Sequence, residues 1–241
     1  MKALLIKAAN VTLCPTQASL ETIQQTLNLT STKAALVVNG INASETLSEK
    51  TIASIRTKLK LDESKTIIAV NGGLEKSRDQ LKKLQKVIYK LKESEENVHF
   101  LIIGEPQKYL YSFLKKYHAR RMCSFVGDVT TKLLSQYYSV CDLALILDQT
   151  NNDDSRITVL NFMANALPVV AFETPLYKHY LSDNSPFSRS TNGIVNNLKD
   201  LHHNKEWQQK LALQNIQRFE EFYSWEVSKE QLYSTYMQAL G

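Results

Sequence analysis

Asp153-Asp154-Ser155-Arg156-Ile157-Thr158-Val159-Leu160-Asn161-Phe162-Met163-Ala164-Asn165-Ala166-Leu167-Pro168-Val169-Val170-Ala171 decides the fold. A polar start runs into an amphipathic helix, a one-turn break follows, and a short apolar strand closes the stretch. The residues before it, Leu143 to Leu147, form the most apolar run of the chain and read as a parallel strand buried on both faces. A helix that starts after such a strand offers unpaired N–H groups and its positive dipole end to an anion. Ser155 is the expected N-cap, and Ile157, Thr158 and Val159 are the expected N–H donors.

Outward from this stretch the same unit repeats. Thr66 to Val70, Val98 to Ile103, Cys123 to Val126 and Pro168 to Ala171 read as buried strands, each followed by apolar residues spaced at three and four positions. Gly193-Ile194-Val195 reads as one further short strand, and helices are expected over about 197–203, 205–222 and 225–240. Short loops between strands and helices predict an α/β fold: a Rossmann-like parallel sheet with helices on both faces and a helical C-terminus. In such sheets ligands lie at the carboxyl ends of the strands. Those ends carry Gly72-Gly73, Gly104, Gly127, Asp148-Gln149 and the loop at Asp153. Upstream, residues 3–9 look like the end of a helix, and Val11 to Cys14 is a strand stopped by Pro15. A helix from Thr16 to Leu27 and a strand from Ala34 to Val38 follow, closed by the turn pair Asn39-Gly40, which tolerates positive φ. Residues 46–60 form a polar helix. Regular alternation begins only after it, which places a boundary near residue 60, with 1–60 and 61–241 as the two parts.

Composition bounds the function classes. The 241 residues are 43% hydrophobic and 22% charged, ordinary for a globular chain. No apolar run reaches the roughly 18 residues of a membrane span, and the apolar start is too short for a signal peptide. Cys14, Cys123 and Cys141 follow no ligand spacing and read as reduced core thiols, which points to the cytoplasm. Asn10, Asn28 and Asn42 open Asn-x-Ser/Thr triplets that read as chance matches. The net charge of +5 is gathered on Lys82, Lys83, Lys86, Lys90 and Lys92 and on Lys115, Lys116, His118, Arg120 and Arg121. These are solvated helix faces or a peripheral contact with an anionic membrane surface. Aromatic residues do not interleave with them as in a single-strand binder, so no nucleic-acid partner is expected.

Several segments, in order, resemble the carboxyl-terminal, donor-binding half of retaining GT-B glycosyltransferases of family 4. Pro15-Thr16-Gln17-Ala18-Ser19 resembles the family's "P-S-x-x-S", and Val38-Asn39-Gly40-Ile41-Asn42 its "P-N-G-V-D". Asn71-Gly72-Gly73-Leu74 through Arg78 resembles "V-G-R-L-x-x-x-K-G". Leu101-Ile102-Ile103-Gly104 matches "L-x-I-V-G", Phe125 to Val129 matches "F-x-G-x-V", and Asp142 takes the Asp place of "Y-x-x-x-D". The opening stretch resembles "E-G-F-G-L-V-L-L-E-A-M-A-x-G-x-P-V-V-A", and Tyr223-Ser224-Trp225-Glu226 resembles "F-S-W-E". The likeness covers about residues 9–240.

The resemblance implies a nucleotide-sugar donor, such as a UDP- or GDP-sugar, as substrate, with no separate cofactor and no metal. It makes 1–60 the remnant of an amino-terminal domain with its linker, and 61–241 the nucleotide-sugar-binding domain. It assigns catalytic roles to Asp153 and Arg78. Donor binding falls to Gly72, Gly73, Gly104, Asp128, Val129, Ile157, Thr158, Val159 and Asn161. The chain departs from the family pattern at defined places. Gly73 stands where the family has its clamp Arg, and Arg78 stands for its Lys. Asp153 and Asn161, eight positions apart, replace a pair of glutamates, so the second partner has no charge. Arg156 and Ala166 stand where the family has glycines. The acceptor site belongs to a missing amino-terminal domain or a partner chain, so activity is not expected without that half. Two readings stay open: part of a retaining hexosyltransferase of glycan biosynthesis, cytoplasmic or peripheral at the cytoplasmic membrane face, or a catalytically degenerate homologue acting as a binding or stabilising subunit.

Overall fold

The computed structural model describes residues 1–241 except 1–5, 7, 31–32, 45–46, 72–76, 105–107, 128, 151–152 and 241. The described chain divides into two compact units, 1–43 with 218–241, and 44–217.

The first unit opens with β1 (Thr12–Cys14), α1 (Gln17–Leu27) and β2 (Ala34–Leu36), with β1 and β2 parallel. Thr16 caps α1: its Oγ1 accepts the Ser19 N–H at 3.1 Å, which satisfies one orphan donor of the first turn. The helix end expected at residues 3–9 lies mostly outside the described residues.

In the second unit come α2 (Glu49–Leu59), β3 (Thr66–Val70), α3 (Arg78–Glu93), β4 (Val98–Ile103) and α4 (Lys108–Lys116). They are followed by β5 (Cys123–Val126), α5 (Thr131–Tyr138), β6 (Leu143–Ile146), α6 (Asp153–Ala164) and β7 (Val169–Phe172). The last elements are α7 (Pro175–Tyr180), β8 (Phe187–Ser188), α8 (Thr191–His203) and α9 (Lys205–Phe222), which runs into the first unit, where α10 (Trp225–Leu240) completes the chain. A six-stranded sheet is ordered β5-β4-β3-β6-β7-β8, with every pairing parallel.

Successive residues of a strand face opposite ways, and both faces of this sheet are buried. Ile68, Val70, Phe100, Ile102, Leu143, Leu145, Val170 and Phe172 join the apolar sides of α3, α4 and α8 in one core. Ile67, Ala69, Leu101, Ala144, Ile146 and Ala171, on the other face, are buried as completely. Burial on both sides is why these strands read as continuous apolar runs. Asp142 fixes the register at the entry to β6. Its carboxylate accepts the Ile67 N–H at 2.7 Å, and its own N–H donates to Ile67 O at 2.8 Å.

Three expectations are corrected. Gly193-Ile194-Val195 belongs to α8, not to a strand. Ser190 caps that helix, and Ile194, Leu198 and Leu201 recur at helical spacing on its buried side, whereas a short apolar run by itself fits either element. The strand beside β7 is β8, earlier in the chain. The helix expected from 46 starts at Glu49, because Ser48 accepts the Thr51 N–H and sets the entry. The boundary expected near residue 60 is a change in sequence character, and the compact units of the fold divide at 43/44. Gly40 is required for close approach and not for positive φ: an added Cβ would lie 2.5 Å from Ser224 O and 2.3 Å from Ser228 Oγ.

Candidate functional site

The chain leaves β3 for β4 and β5 on one side, then returns to β6 and continues to β7 and β8 on the other. The switch in direction falls between β3 and β6, the place where open parallel sheets offer a crevice at the carboxyl ends of their strands. Two helices open there. Arg78 is the first residue of α3, exposed, just after the capping Ser77, whose hydroxyl accepts the Gln80 N–H at 3.3 Å. Asp153 is the first residue of α6.

The start of α6 differs from the expected one. Ser155 lies inside the helix and is buried. Acidic residues are favoured at the positive helix end, and the helix takes in Asp153 and Asp154. The N–H groups of Ile157, Thr158 and Val159 therefore fall in the second turn, where the helical pattern directs them to carbonyls four residues back. The N–H groups at the helix start are those of Asp153, Asp154 and Ser155.

A polar network that sequence reasoning did not assign holds this helix start. Its hub is Asp148, two residues past β6. Ser155 and Thr150 donate their hydroxyls to Asp148 Oδ2, the latter at 2.6 Å, and the Thr150 N–H donates to Oδ1 at 3.0 Å. Gln80 of α3 donates Nε2–H to Oδ1 at 2.9 Å. Burial opposes the charge of Asp148, but the hydrogen bonds from Ser155 and Thr150 outweigh it and hold the carboxyl below its ordinary range. Lys83 of α3 reaches Gln149 Oε1 and forms an ion pair with Asp79 at 2.5 Å. One carboxylate thus ties the exit of β6 to the first turns of both α3 and α6. The sequence signal was present, a polar pair ending the most apolar strand, but Ser155 and Gln80 come from elements that no spacing rule joins to Asp148.

The other assigned residues fall as follows. Gly104, after β4, takes φ 122, which an L side chain rarely adopts, and its N–H donates to Val126 O at 2.8 Å. Val129 is half-buried in the loop before α5, Val159 is fully buried and Ile157 is 48% exposed. Thr158 Oγ1 accepts Asn71 Nδ2–H at 3.1 Å, a direct link from the end of β3 to α6. Asn161 donates Nδ2–H to Ile157 O of its own helix at 2.9 Å. Gly72, Gly73, Asp128 and the side chain of Asp153 lie outside the described residues. Ala166 has φ 52, so the glycine preference of the family at this place is a backbone demand that the alanine meets with strain. A cleft of about 190 Å³ lined by Tyr138, Asp142, Ala166, Pro168 and Gln208 opens at the amino ends of β6 and β7, opposite the crevice, and holds no assigned site residue.

A parallel sheet with its switch point between β3 and β6, and a helix start anchored at that crevice, define a Rossmann-like domain of the GT-B carboxyl-terminal type. Residues 51–218 match the family described as glycosyl transferases group 1, and the chain belongs to that family. HepE of Anabaena, in complex with UDP and glucose, is similar with a TM-score of 0.77 at 14% identity, over 97% of this chain and 64% of that one. Sucrose-phosphate synthase from Thermosynechococcus elongatus gives 0.75 at 15%, over 99% and 60%. WaaG, a glycosyltransferase involved in lipopolysaccharide biosynthesis, gives 0.70 at 15%, over 90% and 60%. The chain thus spans 60–64% of these structures, and at such identities the likeness is one of fold. No curated protein matches the sequence. Among the described residues, no helix is long and apolar enough to cross a membrane.

Proposed function

We propose that this chain binds the diphosphate of a UDP- or GDP-sugar between the starts of α3 and α6, and transfers its hexose together with an acceptor-binding half. The observation that carries the reading is the Asp148 network, which fixes two helix starts at the switch point before any ligand arrives. The positive end of the α6 dipole, at Asp153, would face the phosphate oxygens. Arg78 stands at the same kind of helix end, where a cation is disfavoured by the dipole; a bound diphosphate would relieve that cost. Stabilising the departing diphosphate in this way is electrostatic catalysis, which needs donors already in place. Gly104 and Val129 would line the donor pocket after β4 and β5, and the family resemblance assigns donor roles to Asp153, Gly72, Gly73 and Asp128.

Support for a second half comes from α10. Tyr233, Tyr236, Met237 and Leu240 lie at helical spacing on one side and are 53–82% exposed. An exposed apolar stripe of this kind suits a protein partner, and we assign it to the acceptor-binding half, either a preceding domain or a separate chain. The exposed basic residues Lys82, Lys86, Lys115, Lys116, Arg120 and Arg121 suit a cytoplasmic enzyme that touches an anionic membrane face while building a glycan.

Asn161 favours a second reading. One of its amide N–H groups is spent on its own helix, and its neutral oxygen accepts ribose hydroxyls more weakly than a carboxylate, as in a binding subunit that has lost catalysis. A nucleotide panel separates the two. UDP or GDP at millimolar concentration should raise the melting temperature by linkage, and Arg78→Ala or Asp153→Ala should cancel the rise. A flat response to the whole panel sinks donor binding and leaves the subunit reading.

A further inference from the structure

At the amino-terminal edge of the sheet, Glu96, His202 and His203 each bring a ligand atom to within 4.8 Å of the others. The histidines end α8, and Glu96 stands two residues before β4. His203 Nε2 lies 3.0 Å from Glu96 Oε2, and His202 Nε2 lies 3.9 Å from the same oxygen. The two rings are 4.6 Å apart and tilted by 60°. Tetrahedral zinc with Zn–N and Zn–O bonds of about 2.0–2.2 Å sets its ligand atoms roughly 3.3 Å apart, between the two distances found.

The surroundings carry both signs: Glu96 draws positive charge to His202, and Lys205 opposes it. Glu96 and His202 are enclosed, with side-chain exposures of 11% and 14%. His202 Nδ1 lies 2.8 Å from the hydroxyl of buried Thr66. With the proton on Nδ1 donated to Thr66, the lone pair of Nε2 faces the Glu96 carboxylate. In that tautomer the contact with Thr66 is the outer hydrogen bond by which metal-bound histidines are oriented; in the other, Thr66 donates to Nδ1 and the metal displaces the Nε2 proton. The last turn of α8 adds the negative end of its dipole. Lys199 Nζ lies 3.6 Å from Glu96 Oε1, the other carboxylate oxygen, so Oε2 is left to the imidazoles.

We propose that Glu96, His202 and His203 bind a divalent transition metal, with zinc the best fit and water completing the coordination. Two imidazoles and one carboxylate suit zinc, nickel or cobalt better than magnesium or calcium. The site stands at the opposite edge of the sheet from the helix starts of α3 and α6, and ties the α3–β4 connection to the end of α8 without taking part in donor binding.

The test uses the full chain, stripped with a chelator and given zinc, nickel or cobalt chloride separately. A rise in melting temperature at micromolar metal, reversed by EDTA, and a visible cobalt ligand-field spectrum are expected. His203→Ala, at a 65% exposed side chain whose loss leaves the fold intact, should weaken zinc binding at least about tenfold, and Glu96→Gln likewise. His118→Ala, outside the cluster, should change nothing. The proposal is overturned if no metal gives a chelator-reversible shift, if binding needs millimolar metal, or if it survives the double variant His203→Ala/Glu96→Gln. The nucleotide response of the stripped chain is measured alongside, so failure of either site is seen separately.

Discussion

Helices α3 and α10 have the same length, 16 residues, and opposite construction. α3 buries Leu81, Leu84, Val87, Ile88 and Leu91 and turns Lys82 and Lys86 outward. α10 buries Ser228 and Thr235 and turns Tyr233, Tyr236, Met237 and Leu240 outward. Polar bonds hold its inner side: Ser228 Oγ–H donates to Val38 O at 2.6 Å, and Gln231 Oε1 accepts the Val38 N–H at 3.0 Å. The unit of 44–217 is stabilised by the apolar area that it removes from water. The unit of 1–43 with 218–241 meets its backbone partners but leaves part of its apolar surface exposed.

The sharpest way to break this contrast is a pair of substitutions. Phe100→Ala, at a side chain with no exposure, should cost about 3–5 kcal/mol in urea unfolding; a loss under 1 kcal/mol would mean that the sheet does not carry the stability of its unit. Acid should act on that same unit. Burial, with Lys65 adding to it, pushes His99 down to about 4. Between that value and the ordinary one near 6.5, the unfolded chain binds a proton that the folded chain does not. Stability is therefore complete above about pH 6.5 and falls as pH drops toward 4, by up to about 3 kcal/mol. His99→Gln should flatten that slope in unfolding curves taken at several pH values, and an unchanged slope refutes the assignment.

Gly40→Ala probes the other unit. The added methyl meets a backbone carbonyl at 2.5 Å that cannot step aside, and overpacking of this kind costs about 1–3 kcal/mol. Hydrogen exchange should quicken in α10 while β3 and β4 stay protected; uniform loss of protection would merge the two units into one cooperative body. The smallest effect belongs to Tyr236→Ser and Leu240→Ser, each within about 0.5 kcal/mol of the parent. Both should weaken association with a supplied amino-terminal GT-B half in a pull-down, and unchanged capture removes the stripe from that role.

Strands β3, β4 and β6 could be read directly, because burial on both faces writes an unbroken apolar run. α3 and α4 could be read as well, since a one-sided core imposes helical spacing. Gly193 to Val195 misled, because three residues are too few for spacing to choose between strand and helix, and the Ser190 cap together with Leu198 and Leu201 further on tips the balance. The candidate site could be read as a place in the topology and less so as a set of contacts. Asp153 and Arg78 follow from position in the fold, whereas the role of Asp148 depends on side chains brought together by the sheet. The start of α6 was set one turn late, because Ser155 is a good cap in isolation but has a carboxylate to bond instead.

The parallel bridge between Ile41 and Ser224 joins the two ends of the second unit's chain segment. During synthesis, β1, α1 and β2 leave the ribosome long before Ser224, Ser228 and Gln231 exist to meet them. The second unit can close once α9 has emerged, since Leu211 belongs to its core and Asn215 bonds Leu167 O, while the first must wait for α10, with Val38 bonded to water in the meantime. A stalled or clipped chain that lacks α10 would thus hold a finished sheet and an unfinished companion, a state open to chaperones and proteases.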